Sequence, residues 1–304
     1  MPAGALQDPP TRPYGSRSTA EDVVRGLDLT GQTILVTGCS SGLGFETMRV
    51  LASRGARVVG AARTPEGAQA ACQRIAGEAV PLACDLAEPQ SVLAAVAQVS
   101  SRHGPLQAII ANAGIMALPR LELVHGYERQ FFTNHVGHHL LVTRLLPQLA
   151  ADGRVVVLSS SAQRAAPREG IQFDNLDGSR GYAAWTAYGQ SKLANLLFVR
   201  HLSTRLPSPR QAAIAVHPGV IRTRLHRNLP PVARRLFGLA APFLKSAQQG
   251  AASPTWAAAH PAAAGLNGAY VVDCAPQRPK GHAADAGLAA KLWTETERIL
   301  EQVC

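Results

Sequence analysis

The sequence predicts a doubly wound α/β fold, with a single seven-stranded parallel sheet and helices on both faces. Three observations carry that expectation. Short apolar runs rich in Val, Ile and Ala recur near residues 34–37, 57–63, 80–86, 108–114, 153–161, 212–216 and 269–273, the lengths of buried strands. Helical patterns fill gaps between them, at 46–51, 67–76, 91–100 and 131–149. Such alternation marks a parallel sheet covered on both faces. The first run ends in Thr37-Gly38-Cys39-Ser40-Ser41-Gly42-Leu43-Gly44, a glycine turn between a strand and a helix.

Composition narrows the function. At 304 residues, 46% hydrophobic and 16% charged, the chain can bury a sizeable core. Its five cysteines (39, 72, 84, 274 and 304) lie far apart with no C-x-x-C pair, so they read as reduced thiols of a cytoplasmic protein. The first 14 residues hold four prolines and no apolar core, so no signal peptide or anchor is expected there. Residues 246–272 lack Asp, Glu, Lys and Arg, yet Pro254 and Pro261 interrupt a stretch rich in Ala, Ser and Gly. That is not a membrane span. A net charge of +10 invites a nucleic-acid reading. The densest basic stretch, Arg222 to Arg235, has no aromatic ladder, which single-strand binders need. A solvated basic face suited to a polyanionic cofactor accounts for the charge.

Taken in order, residues 1–28 read as an extended arm closing on one short helix. Ser18-Thr19-Ala20-Glu21-Asp22 supplies a capping pattern before Val23, Val24 and Leu27. Residues 29–304 form the main domain. Gly38, Gly42 and Gly44 let the backbone take positive φ and approach a ligand, and the helix start attracts a pyrophosphate. Their G-x-x-x-G-x-G spacing is not the best-known dinucleotide fingerprint, so alone it also suits a turn that holds no nucleotide. The second strand ends in Ala61-Ala62-Arg63. A carboxylate near this point suits the ribose hydroxyls of NAD, whereas a basic residue accommodates the 2′-phosphate of NADP. Ala62 and Arg63 therefore point to NADP(H).

The 131–149 helix carries Asn134, His135, His138 and His139. Histidines at this spacing can ligate a metal, but no carboxylate or cysteine accompanies them. They read as buried or interface residues, and no metal is expected. The fifth strand ends in Ser159-Ser160-Ser161, and a polar stretch, 163–184, leads to Tyr188-Gly189-Gln190-Ser191-Lys192. Four residues apart, Tyr188 and Lys192 share one helix face. Pro218-Gly219-Val220-Ile221-Arg222-Thr223 follows the sixth strand, and residues 286–302 form a terminal helix.

This ordered set resembles the short-chain dehydrogenase/reductase family from Thr30 onward. The glycine turn, Asn112-Ala113-Gly114, Asn134, the serine run, Tyr188 with Lys192, and Pro218-Gly219 carry the resemblance. Asn134-His135-Val136-Gly137-His138, 191–198 and Tyr270-Val271-Val272-Asp273-Cys274 look like its retinol-dehydrogenase-like branch, which includes the oxidoreductase half of WW-domain proteins. The resemblance implies a Rossmann fold. It also implies that Tyr188 is the general acid/base, that Lys192 holds the ribose and favours phenolate, and that Asn134 completes a proton relay through a water. Ser160 is the implied active serine, with Ser159 and Ser161 as alternatives. By motif position, Gly38, Ser40, Ser41, Gly42, Leu43 and Gly44 would line the pyrophosphate, with Arg63 at the 2′-phosphate. Asp85 and Leu86 would flank the adenine, and Asn112, Ala113 and Gly114 the ribose side. Pro218, Gly219, Val220 and Thr223 would cradle the nicotinamide carboxamide.

Bringing a tyrosine from about 10 to near 7 requires roughly 4 kcal/mol, and a lysine charge at about 4 Å supplies roughly that at an effective dielectric of 20. The expected function is an NADP(H)-dependent oxidoreductase of an alcohol/carbonyl pair. A lid over 220–245, rich in Leu and Phe, implies a mainly hydrophobic substrate. A homodimer or homotetramer is the candidate assembly. The alternative is an idle NADP-binding scaffold that senses redox state.

Overall fold

The computed structural model describes residues 13–221 and 244–304. Seven parallel strands are found where the apolar runs place them: β1 (Thr33–Thr37), β2 (Arg57–Ala62), β3 (Ala79–Ala83), β4 (Leu106–Ala111), β7 (Leu149–Leu158), β8 (Ala212–His217) and β9 (Tyr270–Val272). Between β4 and β7 a separate hairpin of β5 (Leu123–Val124) and β6 (Tyr127–Glu128) interrupts the sequence. The main sheet has eight described strands, not the expected seven, because β10 (Ala275–Gln277) folds back antiparallel on β9. The reversal uses Asp273 and Cys274, both at positive φ (50° and 57°). Neither is glycine, so the usual sequence signal for a two-residue hairpin turn is missing.

Strand order is β10-β9-β8-β7-β4-β1-β2-β3. The chain leaves β3 at one edge and re-enters beside β1 as β4, so β1 and β4 flank the point where the winding reverses. Ligands of open α/β sheets bind outside the carboxyl ends of the strands at such a point. The period-2 alternation of side chains is fully used. Leu35, Ile109, Val155 and Ala215 enter one core, while Ile34, Ile110, Val156 and Ile214 enter the other. Both faces are therefore apolar, as a doubly wound sheet requires.

Helices α2 (Gly42–Ala52) and α3 (Pro65–Cys72) contribute to the core with Ile34, together with the short N-terminal α1 (Ala20–Val23) and the alanine-rich helix Ala252–Ala259. The α1 start is a capping box between Thr19 and Asp22, as its sequence predicts. The opposite core takes α4 (Pro89–Arg102), α7 (Ala184–Leu202) and the terminal helix Ala286–Val303. It also takes a helix that is not uniform. This begins as α5 (Arg129–Phe131), widens to a π-helix over Phe132–Val136, and continues as α6 (Gly137–Leu145). Gly137 is needed there, since a Cβ would lie 2.1 Å from the Leu86 carbonyl oxygen. His135, His138 and His139 are buried. Four cysteines are buried, and all five are unpaired. No described helix is long and apolar enough to cross a membrane.

Candidate active site

The glycine turn and the end of β4 are built as one unit around Thr37. Its Oγ1 accepts from the amides of Asn112 (2.9 Å) and Ala113 (3.0 Å), and Asn112 Nδ2 donates to the Thr37 carbonyl (2.7 Å). Gly38 has φ +71° and Gly42 φ +61°. A Cβ on Gly44 would lie 2.3 Å from the Gly38 carbonyl oxygen and 2.5 Å from Asn112 Nδ2. The turn therefore closes only with glycine. Ser41 is the N-cap of α2 but makes no side-chain cap bond, and Ser40, Ser41 and Gly42 are exposed. The first-turn amides of α2 have no intrahelical partners, an arrangement that fits a pyrophosphate.

Around this cleft, Arg63 stands exposed just past β2, while Ala62 is buried. Asp85 accepts from the Ala87 amide (3.0 Å), and its own amide donates to Ser91 Oγ (3.0 Å), which fixes the loop carrying the buried Leu86. On the far side, Pro218 is buried, Gly219 has φ +94°, and Val220 is half exposed. The Val220 carbonyl accepts from the Lys245 amide (3.0 Å), and Lys245 Nζ pairs with Asp273 at 2.5 Å. Thr223 and residues 222–243 of the expected lid lie outside the described residues.

The chemistry-bearing side chains converge where α7 crosses β7 and the π-helix. Asn134 lies within the π-helix and is fully buried. Its Oδ1 accepts from the Ile115 amide (2.8 Å), and its Nδ2 donates to the Ile115 carbonyl (2.9 Å) and Ser191 Oγ (3.0 Å). Lys192 Nζ donates to the Leu158 carbonyl (3.0 Å). A Cβ on Gly114 would lie 3.2 Å from Asn134 Oδ1 and 3.4 Å from Lys192 Nζ, so a side chain at this exposed glycine would crowd both polar groups.

The three serines have different surroundings. Ser159 is buried and donates to the Lys192 carbonyl (2.8 Å), tying β7 to α7. Ser161 is exposed and opens the 3₁₀ turn Ser161–Ala165. Ser160 caps that turn through the Ala162 amide (3.1 Å) and stands near enough to the Tyr188 phenol to influence it. Gly189 makes this approach possible, because a Cβ there would lie 2.6 Å from the Ala162 carbonyl oxygen.

The electrostatics differ from the simple expectation. Burial pushes the Tyr188 phenol up to about 12, and Ser160 opposes the rise. Burial also pulls the Lys192 ammonium down to about 8. Lys192 Nζ lies 5.8 Å from the Tyr188 ring centroid. Desolvation dominates both groups because both are almost fully buried.

Two further residues belong to this framework and escape a motif reading. His138 Nδ1 faces the Asn134 carbonyl at 3.0 Å, and its Nε2 faces Thr37 Oγ1 at 2.9 Å. A carbonyl only accepts, so Nδ1 carries the hydrogen, and neutral Nε2 accepts from the Thr37 hydroxyl. Burial holds this imidazole down at about 4, in keeping with that role. Ser191 Oγ donates to the Tyr188 carbonyl (2.8 Å) while accepting from Asn134. The available signal was spacing: His138 is one helical turn beyond Asn134, and Ser191 lies between Tyr188 and Lys192.

Comparison with known proteins agrees with this architecture. The chain is 36% identical to the WW domain-containing oxidoreductase of Homo sapiens over 99% of its own length and 77% of that protein. It is 34% identical to human retinol dehydrogenase 14, over 88% of this chain and 85% of that one. A crystal structure of an uncharacterized protein from Mycobacterium paratuberculosis superposes with a TM-score of 0.74 at 33% identity, covering 92% of this chain and 97% of that chain. The family model described as short chain dehydrogenase matches residues 32–232. The chain is a member of the short-chain dehydrogenase family of oxidoreductases.

Proposed function

We propose that this chain is a cytoplasmic NADP(H)-dependent reductase or dehydrogenase acting on the alcohol/carbonyl pair of a mainly hydrophobic small molecule. The observation that carries the reading is the convergence of Ser160, Tyr188, Lys192 and Asn134 at one point, against which Gly114 packs without a side chain. When bound, the nicotinamide supplies or accepts the hydride. Tyr188 then gives or takes the proton at the substrate oxygen, and Ser160 donates a hydrogen bond where alkoxide charge develops. Lys192 gives one of its three donors to the Leu158 carbonyl, and the others would hold a ribose hydroxyl. A cation beside the phenol also opposes the upward pull of burial on Tyr188. Asn134 spends its side chain on Ile115 and Ser191, so its relay role would fall to its backbone carbonyl.

Preference for NADP(H) rests on Arg63, exposed with no ion pair or hydrogen bond among the described residues, and on the absence of a carboxylate at Ala62. A free guanidinium can meet a 2′-phosphate with two charge-assisted bonds. A hydrophobic substrate is favoured by two of the three large apolar side chains left exposed among the described residues, Trp185 at 44% and Val220 at 50%. Trp185 stands edge-on to Tyr188 with ring centroids 6.1 Å apart. The buried unpaired thiols suit a reducing compartment.

The test is NADPH oxidation against a panel of aldehydes, ketones and quinones, with Tyr188→Phe beside the parent. Turnover should fall by about 10²–10⁴-fold or more in the variant, with cofactor affinity retained. A variant within a few-fold of the parent would remove Tyr188 from its role. A parent that binds NADPH but turns over no substrate would favour the idle scaffold.

A further inference from the structure

A second cavity of about 1030 Å³ opens behind the serine run, on the α7 face of the sheet near the β8–β9 edge. None of the glycine turn, Ser160, Tyr188 or Lys192 lines it. Its walls are the 3₁₀ turn with the loop that follows it, and the segment 277–283. Two hydrogen bonds close the seams. The Ser161 amide donates to His217 Nδ1 (3.2 Å), and His282 Nε2 donates to the Arg168 carbonyl (2.9 Å).

The charge of this cavity has one sign. Arg164, Arg168, Arg278 and Lys280 line it, with His217 and His282, and no aspartate or glutamate does. The side chains of Arg164, Arg278 and Lys280 make no hydrogen bond or ion pair among the described residues. Arg164 is near enough to influence both His217 and Tyr270. The neighbouring carboxylates are engaged elsewhere: Asp273 pairs with Lys245, and Glu169 is held chiefly by Gln172, with Arg168 and His282 adding to it. Residues 222–245 contain no aspartate or glutamate, so that stretch cannot supply a counter-charge.

His217 adds an independent pointer. It is 9% exposed, and its Nδ1 accepts from Ser161, so the neutral ring must carry its hydrogen on Nε2. That N–H has no partner among the described residues. The ring lines the cavity, so this N–H is a donor open to a ligand or water there.

We propose that this cavity is an anion site, separate from the nucleotide cleft, for a small ligand carrying two or more phosphate or carboxylate groups. The arginines supply forked donors that match either group, and His217 Nε2–H supplies a fixed donor at the inner wall. Ser161 and His217 are chain neighbours of Ser160 and Pro218, so the site adjoins the reaction centre without sharing its side chains. The anion could be the acidic end of the substrate or a separate molecule; the recognition chemistry is the same.

The experiment is calorimetric titration of the full chain, first saturated with whichever of NADP⁺ or NAD⁺ it binds, using sodium pyrophosphate and, separately, citrate. Saturation keeps these probes out of the pyrophosphate turn. One-to-one binding is expected, and Arg164→Ala with Arg278→Ala should weaken it by about tenfold or more. Both side chains are exposed, so the fold should persist, and nucleotide affinity should stay within about twofold. No binding to the saturated chain, equal binding by parent and variant, or a parallel loss of nucleotide affinity would overturn the proposal. Steady-state kinetics then separate the two sources. Pyrophosphate competing with the carbonyl substrate marks a substrate tail, and binding without competition marks a separate ligand. The calorimetric result stands even if no substrate turns over, so this site and the proposed activity fail independently.

Discussion

Replacing Thr37 by valine tests the hub that joins the glycine turn to the rest of the site. The substitution keeps shape and strand preference, so it isolates the hydroxyl. Oγ1 uses its full capacity: it accepts from the Asn112 amide at 2.9 Å and the Ala113 amide at 3.0 Å, and donates to His138 Nε2 at 2.9 Å. Thr37 is 2% exposed and His138 1%, so little water can replace these bonds. Leaving a buried donor or acceptor unpaired costs about 1–3 kcal/mol. The Asn112 amide also donates to the Ile110 carbonyl (3.0 Å), so two groups are left unpaired and the sum is about 2–6 kcal/mol, with the lower end expected because the Ala113 amide lies at a partly open strand end. Thr37→Ser is the control, since it keeps the hydroxyl and loses one methyl, worth about 1 kcal/mol. Urea denaturation at pH 7.5 should show the valine variant at least about 2 kcal/mol less stable than the serine variant at unchanged m-value. Cofactor affinity should fall with it, because Asn112 to Gly114 lose their anchor. A valine variant as stable as the serine variant would show that the hydroxyl does not organise this corner.

Three other outcomes follow from the same geometry. Arg63→Ala should weaken NADPH about tenfold while leaving NADH within twofold, read by fluorescence titration; Ala62→Asp should turn the preference toward NADH, with some loss of stability because position 62 is buried. Acid should destabilise the fold between pH 6.5 and 4. Neutral His138 is held at about 4 in the folded chain against about 6.5 when unfolded, so the unfolded state binds the extra proton in that window. Its contribution, about 3 kcal/mol, is complete above 6.5 and is lost as pH falls through 4; His138→Gln should flatten the stability–pH slope by up to one proton. Trp185→Ala should raise KM several-fold for apolar substrates with little change for small polar ones, and equal effects on both would detach Trp185 from the substrate.

Much of the fold was legible because its signals are local. Each parallel strand is apolar on both faces because each feeds two cores, so a short continuous apolar run located it. The glycine turn was legible for the same reason: Gly38, Gly42 and Gly44 are needed by backbone geometry within one turn. The motif positions of Asn134, Ser160, Tyr188 and Lys192 lie close together in the fold, and the spacing of Tyr188 and Lys192 put them on one helix face. What the sequence did not reveal depends on contacts between distant segments. The Thr37–His138 bond spans 101 positions, and Gly189 matters only because the 3₁₀ turn after β7 presses on α7. That Ser159 is tied to the Lys192 carbonyl while Ser160 stands beside Tyr188 is a difference only the packing of β7 on α7 creates. The eighth strand depended on Asp273 and Cys274 accepting positive φ, which their side chains do not advertise. Desolvation was hidden as well, since burial is a property of the assembled layers; it sets the Tyr188 and Lys192 protonation that spacing could not supply. The four cations around the second cavity come from two segments more than 100 residues apart, and only the packed chain brings them together.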